Sequence, residues 1–362
     1  MSTSNSPKVT VLMPVFNGEK YIEEAIASIL EQTFTDFELL IIDDNSTDRS
    51  FEIISSFNDT RLRVMQNEEN KGLAKTLNFG LDLAKGKYTA RMDQDDISYS
   101  NRLEKQVEVM DRSLDFGLVS TNCYQINSTG QVQENTILKN GIKGREVEWY
   151  LLWGNPIVHP SVMFRTELVK SLNGYPEIYR FHVEDYVLWH QLVELKSIVI
   201  LNEPLLLLRK HNLNATELDL KTHIQELVKV NQELLAKRIG YKPLQESIHL
   251  IGKLPNKDQL TFSVSKASVK LLTDSYKHFV LKYKLDKYEL KGVESDLIRK
   301  FVQIIQANIL QGKTQFLLIL IYIVLFIPNR MLKKFNLRSI ISDLLQRLWM
   351  VRIWKAIIQL QN

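Results

Sequence analysis

A largely parallel α/β sheet with helices on its faces is predicted for residues 1–215, and three observations predict it. Short apolar runs alternate with segments of helical spacing, the pattern of successive βαβ units. Two of those runs end in acidic turns, Asp43-Asp44 and Asp93-Gln94-Asp95-Asp96. Loop chemistry rich in Asn, Ser, Asp and Gly separates the segments, as strand-to-helix turns require.

The elements follow in order. Residues 9–15 form an apolar run of strand length, and residues 21–32 place Ile22, Ala25, Ile26, Ile29 and Leu30 on one helical face. Residues 38–42 give a second strand, and Asn45, Ser46 and Thr47 offer N-cap chemistry for a helix reaching about Phe57. A third strand at 62–65, a helix at 73–84 closed by Lys85-Gly86, and a fourth strand at 88–92 complete the regular part. Strands expected at 118–121, 161–164 and 198–201 are more scattered and suit a mixed sheet. Residues 216–312 read as predominantly helical without a motif, notably at 223–238 and 257–284, and residues 313–362 form an apolar and basic tail.

The 362 residues, 44% hydrophobic and 24% charged, describe a globular chain, and a net charge of +4 does not argue for nucleic acid as a partner. Cys123 is the single cysteine and permits no internal disulfide, which suits a reducing compartment. The polar N-terminus carries no apolar leader run, so a cytoplasmic location is expected.

Three acidic sites carry the chemistry. Asp93, Asp95 and Asp96 at a strand's carboxyl end repel one another unless a divalent cation joins them, and hard oxygen ligands suit Mg2+ or Mn2+. The alternative is a solvated acidic turn, which the preceding buried strand disfavours. Asp43 and Asp44 exceed what a helix cap needs, and a carboxylate there can accept a base-edge N–H beside Pro14, Phe16 and Asn17. Glu184-Asp185 reads by itself as a helix start. Lys71 and Arg91 can face an anionic ligand or lie on the surface, Trp153 and Trp189 are either stacking faces or core residues, and His159 before a proline reads as a structural or loop hydrogen-bonding residue.

Taken together, the segments 13–17, 32–38, 43–48, 70–72, Asn78, Gly80, 84–86, 93–96 with Arg102-Leu103, and 184–189 resemble the family 2 glycosyltransferases over roughly residues 9–214. The resemblance implies the GT-A fold, a Rossmann-like mixed sheet flanked by helices. It further implies an inverting transfer from a nucleotide-diphospho-sugar donor, by family habit a UDP-sugar, to a glycan or polyprenyl-linked acceptor in bacterial cell-surface polysaccharide synthesis. In that reading Asp44 binds the base, Asp93 faces ribose and diphosphate, Asp95 is the main metal ligand beside Asp93, and Asp185 is the general base supported by Glu184. Asp96, His159 and Trp189 are then weaker acceptor or sugar contacts.

The sequence departs from processive synthases in lacking a Gln-Xaa-Xaa-Arg-Trp element, which favours single-sugar transfer. No Gly-Xaa-Gly-Xaa-Xaa-Gly follows the first strand, which disfavours a dinucleotide oxidoreductase. A nucleotidyltransferase would carry a glycine-rich basic first loop. A catalytically inactive sugar-nucleotide-binding or scaffolding protein of the same fold is the remaining rival, and retention of all three acidic sites argues against it.

The apolar run 316–327, closed by Pro328, is shorter than the roughly 20 residues a spanning helix needs. Arg330, Lys333, Lys334, Arg338, Arg347, Arg352 and Lys355 then interleave with Leu344, Leu345, Leu348, Trp349, Ile353, Trp354 and Ile357. That pattern predicts a helix lying on the membrane surface, on the inner face of the cell membrane, or else a basic helix packed on the protein's own core.

Overall fold

The computed structural model describes residues 6–134, 142–178, 183–211, 220–252 and 260–310, with Ile319 and Ile323. The apolar run and basic tail expected beyond residue 313 otherwise lie outside the described residues, as do Phe181 and His182. Among the described residues no helix is long and apolar enough to cross a membrane.

The chain forms two compact units, Met1–Leu234 and Leu235–Asn362. The first begins β1 (Val9–Val15), α1 (Ile22–Leu30), β2 (Phe37–Asp43), α2 (Ser50–Ser56), β3 (Leu62–Gln66), α3 (Leu73–Leu83) and β4 (Tyr88–Arg91). It continues with β5 (Ile97–Ser98), α4 (Arg102–Arg112), β6 (Phe116–Ile126), β7 (Val132–Glu134), β8 (Ile142–Lys143) and α5 (Arg145–Leu151). A 3-10 turn (His159–Ser161), β9 (Met163–Arg165), α6 (Thr166–Ser171), α7 (Glu184–Leu195), β10 (Ser197–Arg209) and α8 (Leu220–Ile239) follow.

The strands join one sheet in the order β3-β2-β1-β4-β9-β6-β10-β5, with β7 on β6 and β8 on β10. β1, β2, β3 and β4 are mutually parallel, β9 runs against both β4 and β6, and β10 runs parallel to β6. One antiparallel strand is therefore inserted between two parallel blocks. The carboxyl ends of β1, β2, β3, β4, β6 and β10 consequently share one edge, where ligands bind in open α/β sheets.

Both faces of the sheet are covered, which is why its strands are apolar along their length. Leu12, Leu40 and Ile42 face Leu77 and Leu81 of α3 and Leu188 and Trp189 of α7. Val11, Met13, Leu39 and Ile41 face Ile22, Ile26 and Ile29 of α1 and Leu103, Val107 and Met110 of α4. Pro14, expected at the tip of the base pocket, is instead buried within β1 opposite Ile42.

The expected end of this unit near residue 215 falls short of its observed limit. The first half of α8 adds Leu227, Val230 and Leu234 to the core around Trp189. Asn231 donates to the Tyr186 hydroxyl at 2.9 Å, so the core extends to Leu234. The second unit contains α9 (Gln245–Gly252), α10 (Phe262–Lys282) and α11 (Lys287–Leu310). Leu272, Tyr276 and Phe279 of α10 and Leu297, Phe301 and Ile304 of α11 are buried, and Tyr276 donates to Glu294 at 3.1 Å.

A buried polar knot sets the register at the opposite end of the sheet. Glu38 accepts the Thr10 hydroxyl at 2.7 Å, the Lys85 N–H at 2.9 Å and the Arg63 guanidinium at 2.6 Å. The Gly86 N–H donates to Thr10 Oγ1 at 2.9 Å. A Cβ at Gly86 would lie 2.3 Å from the Thr10 backbone nitrogen, so the chain passes β1 too closely for any side chain. Gly86→Ala is expected to lower stability by about 3 kcal/mol. A urea unfolding midpoint equal to wild type would contradict this packing.

Candidate active site

The site occupies the carboxyl edge, and its first part is a pair of interlocked loops. The Asp44 carboxylate accepts Asn67 Nδ2 at 2.7 Å and the N–H groups of Lys71 and Gly72, each at 2.9 Å. Those three bonds tie the β3–α3 loop to the tip of β2 and leave about one of the carboxylate's four acceptor positions open. Asp43 lies beneath, accepting Gln66 Nε2 at 2.9 Å and the Ser46 N–H at 3.2 Å. The Lys71 ammonium stands 5.6 Å from the centre of the Phe79 ring, on an exposed position.

Asn45, Ser46 and Thr47 do not start α2, which begins at Ser50. Ser46 and Thr47 bind the β1–α1 loop instead. The Asn17 N–H donates to Ser46 Oγ at 3.0 Å, and Asn17 Oδ1 accepts the Thr47 N–H at 2.8 Å. Asn17 adopts φ +51°, a left-handed conformation that asparagine tolerates. Gln94 braces the same loop by accepting the Phe16 N–H at 2.8 Å and donating to the Phe16 carbonyl at 3.0 Å. Phe16 thereby presents a ring that is 44% exposed at the mouth of the site.

The second part is the acidic turn after β4. Ligand oxygens of Asp93, Asp95 and Asp96 lie within 4.8 Å of one another. Asp96 is buried, and one oxygen accepts the Arg209 N–H at 2.8 Å while Oδ2 has no hydrogen-bond partner. It is therefore an inward-facing group and not the acceptor contact that the sequence allowed. Burial, then the neighbouring charges of Asp95 and Asp93, push its carboxyl well above the usual range. Burial and Asp93 raise Asp95 too, against an opposing contact from His211 Nε2 at 2.8 Å. An orphaned carboxylate oxygen and three crowded carboxylates fit a hard divalent cation, with all-oxygen donors of the kind Mg2+ and Mn2+ accept.

Arg91 is not on the surface. Its side chain is 2% exposed and salt-bridged to Asp93, while Arg102, equally buried, donates to the Arg91 carbonyl at 3.2 Å and the Pro160 carbonyl at 2.7 Å.

The third part is the start of α7. Glu184 and Asp185 are both buried in its first turn, where the helix dipole favours negative charge. Asp185 accepts the Tyr186 N–H at 2.6 Å and Asn155 Nδ2 at 2.8 Å. Burial, then the adjacent Asp185 charge, raise Glu184 to about 7. Burial raises Asp185 to about 6, against the hydrogen bonds from Tyr186 and Asn155. Two carboxylates held near neutrality can exchange a proton with a substrate hydroxyl at working pH.

Trp189 lies in the core. It is fully buried against His159, Phe164 and Tyr175, so its faces are taken by protein and it offers no sugar platform. His159 joins that cluster, its Nε2 lying 3.0 Å from the Tyr175 hydroxyl. Sequence reasoning missed Gln94, Asn155, Arg209 and His211. His211 follows an apolar run that reads as a strand, but only the parallel placement of β10 brings its end beside Asp95.

Comparison with known proteins agrees with this architecture. The structure superposes on S. aureus TarS 1-349 in complex with UDP-GlcNAc with a TM-score of 0.57 at 18% identity, over 84% of this chain and 92% of that one. That likeness supports a GT-A fold. The model of Glycosyl transferase family 2 matches residues 10–171. EpsE of Bacillus subtilis (strain 168) is 34% identical over 199 residues, 53% of this chain and 68% of EpsE. The Escherichia coli UDP-Glc:alpha-D-GlcNAc-diphosphoundecaprenol beta-1,3-glucosyltransferase WfgD is 28% identical over 194 residues, 54% of this chain and 73% of WfgD. The chain belongs to glycosyl transferase family 2 and is a glycosyltransferase.

The brace between Gln94 and the β1–α1 loop makes a local prediction. A Cβ on Gly18 would lie 2.7 Å from Gln94 Oε1. Gly18→Ala and Gln94→Ala are each expected to cost about 1 to 2 kcal/mol, with the double variant well short of their sum. A double-mutant cycle in urea reads the coupling, and strict additivity would show that the two residues do not share one constraint.

Proposed function

We propose that this glycosyltransferase moves a single sugar, with inversion, from a nucleotide-diphospho-sugar, most simply a UDP-sugar, to a hydroxyl of a glycan or polyprenyl-linked acceptor in cell-surface polysaccharide synthesis. What supports the reading is a buried carboxylate pair, Glu184 and Asp185, within electrostatic reach of Asp93 in the crowded Asp93, Asp95 and Asp96 turn. The WfgD name supports a uridine donor and a lipid-diphosphate acceptor. An acceptor of that kind sits in a membrane, which supports peripheral action on the inner face of the cell membrane.

Each group then has a task. Asp44 directs its remaining acceptor position at a base-edge N–H, and Phe16 offers a flat face to the base. Asn17 and Lys71 lie on the two loops that would bracket the nucleotide. Asp93 orients ribose and diphosphate. Asp95 and Asp93 would hold Mg2+ or Mn2+, which when bound supplies charge stabilisation to the departing diphosphate. Asp185 accepts the proton of the acceptor hydroxyl as that oxygen attacks the anomeric carbon from the face opposite the leaving group, a single displacement that inverts configuration. Glu184 supports it from the same helical turn, and Asn155 fixes its orientation.

Asp185→Asn keeps the shape of the base but cannot accept a proton, and is expected to lower kcat about 10²- to 10⁴-fold while the thermal melt at neutral pH rises, because a buried charge is removed. Asp95→Ala is expected to abolish metal-dependent turnover. Near-wild-type sugar transfer by either variant would refute its role. The pH dependence has a definite sign: Asp185 works ionised, its folded value lies near 6, and kcat/KM therefore falls as pH drops through about 6. An ordinary aspartate would keep its activity to about pH 4. A profile at saturating metal that stays flat to pH 5 would contradict Asp185 as the base.

A further inference from the structure

In the second unit, α10 and α11 each bury one face, through Leu272, Tyr276 and Phe279 and through Val293, Leu297 and Phe301, and residues 283–286 join them. Within one turn of that connection stand the two most exposed large apolar side chains among the described residues, Leu281 at 87% and Tyr288 at 81%. A single exposed leucine is ordinary on a protein surface, but this pair is set in charge of one sign. Residues 277–291 hold five lysines, Lys277, Lys282, Lys284, Lys287 and Lys291, all exposed, with His278 beside them and only two acids, Asp286 and Glu289. Both acids are engaged locally. Asp286 accepts the N–H groups of Tyr288 at 2.7 Å and Glu289 at 2.8 Å, and Glu289 accepts the Asp286 N–H at 3.1 Å. That reciprocal cap holds the carboxylates against the start of α11, and the lysines make up the outward charge.

We propose that the α10–α11 connection is a docking surface for an anionic phospholipid bilayer, with Leu281 and Tyr288 entering the headgroup region and the five lysines meeting lipid phosphates. The inference rests on the proposed peripheral action at a membrane and names the part of the chain that makes the contact. Leucine supplies an apolar side chain for the edge of the acyl region, and tyrosine an apolar ring with a polar tip, a combination suited to that boundary. Lysine stems lie along apolar surface while their ammonium groups stay in water or against phosphate. The Lys282 ammonium shows that posture, 4.7 Å from the centre of the Tyr283 ring. The same ring packs edge-on to buried Phe279 at 5.0 Å, which ties the connection to the core of α10. Charge complementarity selects the occupant: an acidic leaflet attracts a lysine cluster, whereas a neutral apolar partner would leave the ammonium groups desolvated without compensation.

Vesicle binding by the full chain tests this without donor or acceptor. Cys123 is buried, so a cysteine introduced as Leu281→Cys takes the environment-sensitive fluorophore NBD selectively. Ser263→Cys, exposed on the same helix and about 27 Å from position 281 along its axis, is the control. NBD at 281 is expected to brighten and shift to the blue with vesicles of phosphatidylcholine and phosphatidylglycerol in equal parts, and to respond little to phosphatidylcholine alone, while NBD at 263 stays unchanged. The response is expected to fade in about 0.5 M NaCl. It is expected to be lost when Lys282→Glu, Lys284→Glu and Lys287→Glu are combined, with sugar transfer to a water-soluble acceptor unaltered. Co-sedimentation of the chain with anionic vesicles while NBD at 281 stays unshifted overturns the docking surface and leaves peripheral membrane action standing. Absence of co-sedimentation with any vesicle sinks both. A shift at 281 that grows with protein concentration in the absence of vesicles assigns the surface to a second copy of the chain and overturns the proposal as well.

Discussion

Five carboxylates, Asp93, Asp95, Asp96, Glu184 and Asp185, are gathered at one edge of the sheet, and the salt bridge from buried Arg91 to Asp93 sets one cation among them. Burying one uncompensated carboxylate is costly, and crowding several multiplies the cost through mutual repulsion. The raised values of Asp95, Asp96, Glu184 and Asp185 record that strain on the ionised state. Part of it is offset by the α7 dipole and by the backbone N–H groups of Arg209 and Tyr186. A site of this kind trades stability for chemistry, since the same repulsion that destabilises the empty pocket favours a cation and a proton acceptor within it.

The rest of the fold serves to keep that edge rigid. Asp44 gathers the β3–α3 loop, Asn17 and Ser46 join two more loops, and Gln94 ties the acidic turn to Phe16. These bonds cross long sequence separations, so the loops of β1, β2, β3 and β4 form one surface. At the other end, the knot of Thr10, Glu38, Lys85 and Gly86 fixes the register of the strands that carry those loops. Groups tens of residues apart are thereby set in position before any substrate arrives, which is where orientation contributes to rate.

Much of this was legible in the sequence because strand ends are. The apolar runs before Asp43 and Asp93 placed both acidic turns, and the order of motifs implied the fold that the structure shows. Side-chain direction was less legible. Arg91 points into the protein because both faces of the sheet are covered at β4, yet a lone arginine beside an aspartate reads equally well as surface. Trp189 and Pro14 occupy positions that motif order links to the site, but helix and strand geometry turn them into the core. Asn45, Ser46 and Thr47 have the composition of a cap, but Ser46 and Thr47 are used as inter-loop bonds, because Asn17, about 30 residues away in sequence, competes for them. Asn155 and His211 were invisible, since both depend on elements that meet only through the inserted antiparallel β9 and the parallel β10.

The central claim is that the carboxyl edge binds a nucleoside diphosphate jointly with a divalent cation. Calorimetric titration of the full chain with UDP, GDP and dTDP, with and without Mn2+, tests it most directly. The account predicts that one nucleotide binds with metal present, and that its affinity falls at least tenfold without metal or in Asp95→Ala. Nucleotide affinity that is equal with and without Mn2+, or unaffected by loss of Asp95, would contradict it.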